Sequence, residues 1–106
     1  MFSIIQVTAS ASDMGEDLLS NRQFLEFEEA EQYWFYIGAF YSLGHIAKQT
    51  NSEEVAVCTW NWLKIDPPKK KSLLIGSFKD FPDHSPTGVI LSYLQRDCGL
   101  DLNPKK

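Results

Sequence analysis

Cysteine is scarce in this chain: Cys58 and Cys98 are the only two, with no CxxC pair and no Cys/His spacing of the kind that holds zinc. That excludes a disulfide-dense scaffold and a zinc module, and it makes two small core hydrophobes in a reducing compartment the expectation. Glycine-rich phosphate loops, HExxH and GxSxG are missing as well, which removes the motifs that announce nucleotide binding or hydrolysis. Long apolar runs are missing too. The longest uncharged stretch, Gln32 to Ala47, is shorter than the ~20 residues a bilayer-spanning helix needs and contains Gln32, Ser42 and His45. Met1 to Ser10 lacks the basic start and the apolar length of a secretion signal, so a cytoplasmic protein without a membrane anchor is expected. Positive charge is also short. The net charge of -4 and a pI near 5.0 weigh against a dedicated nucleic-acid binder, which needs surplus Lys and Arg to neutralise phosphates.

What is present is the composition of a globular protein. Hydrophobic residues make up 43% and charged residues 23% of 106 positions, enough apolar surface for a core and too little length for two. One domain over residues 1–106 is therefore expected. Charge is unevenly spread: Asp13, Glu16, Asp17, Glu26, Glu28, Glu29 and Glu31 stand against Arg22 alone, whereas Lys69, Lys70, Lys71, Lys105 and Lys106 come late. This predicts an acidic side and a basic tip.

Local patterns predict an α+β fold. Phe2–Thr8 is short, apolar and β-branched, as a buried strand is. Asp13–Glu26 carries a capping box at Ser20 and Gln23 but also an extended-looking Phe24-Leu25-Glu26-Phe27, and the pattern does not choose between them. Glu28–Lys48 has helical spacing, with acidic residues at its start and Lys48 at its end to suit the helix dipole. Val55–Ile65 has strand composition, Pro67 and Pro68 stop it, Lys69 to Lys71 make a basic loop, and Ser72–Phe78 returns as the second arm of a hairpin. Ser85-Pro86 is a helix start and Gly99 a C-terminal cap, giving a helix over Pro86–Cys98, with Leu100–Leu102 as a short edge strand. The sum is a small antiparallel sheet of three to four strands with two helices on one face, an order that resembles the β-α-β-β-α-β arrangement of ferredoxin-like domains.

Six of the nine residues from Tyr33 to Tyr41 are aromatic. On a helix, Ala30, Tyr33, Trp34, Ile37, Tyr41 and Gly44 share one face, while Phe35, Tyr36, Ala39, Leu43 and Ile46 point away from it. A small sheet covers only one of these faces. The other face is either closed into the core by Asp13–Phe27 folding over it or left for a partner; in the second case Tyr36 is the preferred contact, beside Phe35 and Leu43, with Glu28 and Glu29 steering a basic surface. The leading expectation is a non-enzymatic protein-binding or regulatory module that acts through this aromatic helix, its partner being another protein or a second copy of itself, with no cofactor and no metal.

Two alternatives use other residues. Trp60 and Trp62, two apart in a strand, share one face beside Lys69, Lys70 and Lys71, which is how single-stranded nucleic acid is stacked and neutralised. His84 lies near Asp80 and Asp83, with Asp97 and Cys98 further on, which suggests a small enzyme with a histidine base and a thiol nucleophile. Turn and capping chemistry explains the Asp83-His84 pair equally well.

Overall fold

A computed structural model describes residues 19–102, and among them there is no strand; every regular element is a helix. The elements are α1 (Asn21–Leu25), α2 (Glu29–Thr50), α3 (Glu53–Asn61), a 3-10 turn (Trp62–Lys64), α4 (Pro67–Asp80) and α5 (Pro86–Cys98). The α+β, ferredoxin-like expectation is overturned. The strand assigned to Phe2–Thr8 lies outside the described residues; Val55–Ile65 and Ser72–Phe78, the proposed hairpin, fall in helices instead.

Capping side chains open every helix but α4, which starts on a proline pair. Ser20 opens α1 through a reciprocal pair: its Oγ accepts from the Gln23 N–H at 3.2 Å and its own N–H donates to Gln23 Oε1 at 2.9 Å. The Glu28 N–H donates to the Glu31 carboxylate at 3.0 Å before α2. Ser52 accepts from Val55 N–H at 3.1 Å, with Glu53 and Glu54 in the first turn of α3, so what reads as a polar break is a helix N-terminus. Pro67 and Pro68 do not end a strand; they occupy the first turn of α4, where a missing N–H costs nothing. Ser85 and Pro86 open α5, and Gly99, at φ 75°, ends it in the left-handed conformation that glycine adopts without strain. The β-branched content of 55–65 yields to packing, which overrides strand propensity when a helix buries the right face: Ala56, Thr59 and Trp62 recur every third residue and point inward.

The core is a single cluster fed by every helix. Phe24 sits at its centre with no exposure, its ring 5.1 Å from both Phe35 and Phe78 and 5.6 Å from Tyr36. Asn21, also buried, ties α1 to the turn before α5: its backbone N–H donates to His84 O at 2.7 Å and its Nδ2 to Phe81 O at 2.7 Å. At the other end, the Asn51 side chain accepts from Asp101 N–H at 2.9 Å and donates to Asp101 O at 3.0 Å. An amide side chain thus takes the hydrogen bonds that a strand at Leu100–Leu102 would have needed. Cys58 of α3 and Cys98 of α5 are joined in a disulfide, with Cα atoms 5.6 Å apart. The expectation of two free thiols is corrected: strand geometry hides the proximity that a helix over 53–61 creates.

Candidate functional site

Helix α2 is 22 residues long, and its two apolar sides meet different fates. Tyr36, Phe40, Leu43 and Ala47, spaced four, three and four apart, are buried in the core, with Tyr36 against Phe24 of α1 and Phe40 against Trp62 of the 3-10 turn. The opposite stripe stands in solvent: Trp34 is 67% exposed, Tyr41 60%, Tyr33 49% and Ile37 42%. The assignment of faces is therefore reversed. Tyr36 at 3% and Leu43 at 7% belong to the core, and Phe35 is half-buried against Phe24, so none of the three stands free as a contact residue. Glu28 and Glu29 are exposed at the N-terminal end of α2, as an acidic rim requires.

Beside the exposed stripe runs a groove between α2 and α3, lined by Ile37, Tyr41, His45, Val57, Trp60 and Lys64 among others. Its floor is held by two contacts. Trp60 Nε1 donates to the Tyr41 carbonyl at 3.2 Å, and the Tyr41 and His45 rings meet edge-on at 4.9 Å, with His45 Nε2 and Tyr41 Oη 3.3 Å apart. A second hollow at the acidic end is lined by Glu29, Tyr33, Trp34, Lys71 and Ile75. Exposed rings, an aliphatic side chain and a preformed groove lie along one helix, a contiguous apolar surface with a charged margin.

Tyr36 lines both hollows, yet its hydroxyl is buried and has no hydrogen-bond partner among the described residues, and burial pushes its pKa up to about 12.

Comparison with known protein families, curated proteins and solved structures finds no match. The chemistry of the chain itself carries the functional reading.

The tryptophan platform is not assembled. Residues two apart on a helix point about 200° apart, so Trp60 faces the groove while Trp62 is 3% exposed in the core. There the Trp62 ring stacks on Phe40 at 5.7 Å, its Nε1 donates to Asp97 Oδ2 at 2.8 Å, and Lys70 Nζ lies 4.4 Å over it and donates to the Trp62 carbonyl at 2.7 Å. Lys70 is thus committed inward; Lys69 and Lys71 remain exposed on α4, not on a loop. The Arg96 guanidinium first, and the Trp62 indole N–H second, hold the Asp97 carboxyl below its usual range.

The catalytic set is dispersed in the same way. His84 is exposed on the turn before α5, with its ring edge-on to Phe81 at 5.4 Å; Asp83 is paired with Arg22 at 2.8 Å; and Cys98 is spent in the disulfide, which removes the thiol nucleophile. Among the described residues, the cleft His84 borders is otherwise lined by the hydroxyls of Ser77, Ser85, Ser92 and Tyr93 with Phe81, Gly88, Val89 and Arg96, and no carboxylate lines it. Among the described residues no group of three or more His, Cys, Asp or Glu is placed to hold a metal ion, and no helix is long and apolar enough to cross a membrane.

Proposed function

We propose that this chain is a protein-binding module whose contact surface is the exposed face of α2 and the groove beside it. The carrying observation is the solvent exposure of Trp34, Tyr41, Tyr33 and Ile37 on one helix whose other side already fills the core. Tyr and Trp are the residues that anchor interfaces, because their rings bury large areas with few rotatable bonds while a polar tip stays hydrated. Glu28, Glu29 and Glu31 border this face and favour a partner that brings positive charge to that end. The Cys58–Cys98 disulfide supports an oxidising compartment over the cytoplasmic one that two cysteines suggest.

The test is site-specific photo-crosslinking in the full chain, with a photoreactive residue replacing Trp34 and, as a control, Gln95 on the exposed side of α5. One discrete protein adduct from position 34, absent from position 95 and lost when Tyr41→Glu is added, supports the reading. Absence of any adduct at position 34 overturns it.

A further inference from the structure

We infer that the groove between α2 and α3 binds a small planar aromatic acid, its rings against Tyr41, His45 and Trp60 and its carboxylate at Lys64. The groove borders the surface assigned above to a protein partner, yet this site needs no such partner and is tested without one.

Ring geometry selects a flat ligand. Five of the ten side chains lining the groove are rings. His45 meets Tyr41 at 4.9 Å and 88° and Trp60 at 6.1 Å and 89°, so these three rings turn two right-angled corners rather than one smooth wall. A planar ring seated in such a corner lays its face on one wall and its edge on the other, the two arrangements that aromatic pairs favour. A flexible alkyl chain gains neither.

Charge selects the acid. Lys64 is the only lysine or arginine among the lining residues, and none of those described is Asp or Glu. Its side chain is exposed on the 3-10 turn and makes no ion pair among the described residues, nearby Asp66 included. Asn61, one turn earlier, adds amide N–H donors. Glu53 and Glu54 open the far end of α3 and do not line the groove. They stand roughly 15 Å from Lys64 along the axis, beyond the ~8–10 Å over which exposed charges act in salt. The groove is thus positive at one end, in a chain of net charge -4, and an anionic group is held there.

Size and rigidity suit the same ligand. The groove encloses about 610 Å³, inside the ~300–1,000 Å³ of small-ligand pockets. Its inner wall is in place before anything binds: the Trp60 N–H donates to the Tyr41 carbonyl at 3.2 Å, and the indole lies so close to Gly44 that a Cβ there would overlap it. A ring fixed by two contacts leaves little ordering for the ligand to impose.

Titration of the full chain with 2-naphthoate, followed by heteronuclear NMR, tests this. A probe of about 13 non-hydrogen atoms is expected to saturate with a Kd on the order of 0.1–1 mM. The indole N–H signal of Trp60 should move with it, and that of Trp62, buried in the core, should not. Neutral 2-naphthamide and non-aromatic octanoate should each bind more weakly, and added salt should weaken 2-naphthoate. Lys64→Gln is expected to lower its affinity by about fivefold, while Lys69→Gln, exposed on α4, leaves it unchanged. No saturable shift of Trp60 up to about 10 mM overturns the inference. Equal affinity for 2-naphthamide, for octanoate, or in the Lys64→Gln protein overturns it too. The titration contains no second protein, so its failure leaves a crosslink from position 34 standing, and failure of that crosslink leaves the titration standing.

Discussion

Gly44 of α2 lies directly beneath the Trp60 indole of α3, so close that a Cβ at position 44 would overlap the ring, and the Trp60 N–H donates to the Tyr41 carbonyl at 3.2 Å one turn earlier. The absence of a side chain at 44 is what brings α3 against α2, and that contact forms the floor of the groove. Fold and candidate site therefore meet at this pair.

Gly44→Ala is expected to destabilise the protein by about 1–3 kcal/mol, the range for forcing an extra methyl into packed space. Combining it with Trp60→Ala should cost less than the sum of the two single changes, since the clash disappears with the ring. Chemical denaturation of the four proteins measures both quantities.

Joining Cys58 to Cys98 closes a 40-residue separation. Chain-entropy arguments for a loop of this size give about 4 kcal/mol of stability. That is a large share of the ~5–15 kcal/mol typical of a domain. Reduction, or Cys58→Ser, is expected to lower the unfolding free energy from urea denaturation by a matching amount, whereas adding reductant to the double Cys→Ser variant should change nothing.

Tyr36 offers a pH test. Its pKa is raised by burial to about 12 in the folded protein, against 10.0 for an unperturbed tyrosine. A raised folded value means that this contribution is fully present below pH 10 and is lost as the pH climbs through 12. Tyr36→Phe removes both the orphaned hydroxyl and this titration. We expect a neutral or stabilising effect near pH 7, because no hydrogen bond is lost, and a flatter decline in stability between pH 10 and pH 12 than in the parent chain. Thermal melts across that range decide it.

Asp97 works in the acidic direction. Its carboxyl is held low by Arg96 and by the Trp62 N–H, so it contributes stability above the ordinary carboxylate range and loses it as the pH falls through its depressed folded value. Asp97→Asn should weaken the protein near neutrality and reduce its acid sensitivity. Arg96→Ala should do less, since the 2.8 Å bond to the indole survives. Acid titration followed by tryptophan fluorescence separates the three proteins.

The candidate site was half legible. The aromatic density of Tyr33 to Tyr41 marks α2 as unusual, and a helix apolar on two sides demands two coverings. Which side faces solvent was not legible, because both stripes carry the same helical period. Tyr36 went inward because Phe24 of α1 meets it there, and α1 is a five-residue helix held in place by contacts to the distant 81–84 turn. The value of Gly44 was equally hidden: a glycine on the face of Tyr33 and Tyr41 reads as a gap until an indole from another helix fills it.

By itself the sequence determined the helix over Pro86–Cys98, to the residue, and the long helix from the Glu28 region to the Lys48 region. Ser85, Pro86 and Gly99 act on hydrogen bonds within a turn of themselves, and the charges at the ends of α2 act on its own dipole. Tertiary structure decided the rest. Val55–Ile65 and Ser72–Phe78 are helical, Cys58 meets Cys98, and Trp34 with Tyr41 is left in water, because β-branched and aromatic residues accept either backbone and the balance is tipped by what they bury against. Those partners lie tens of residues away, and only the packed core brings them together.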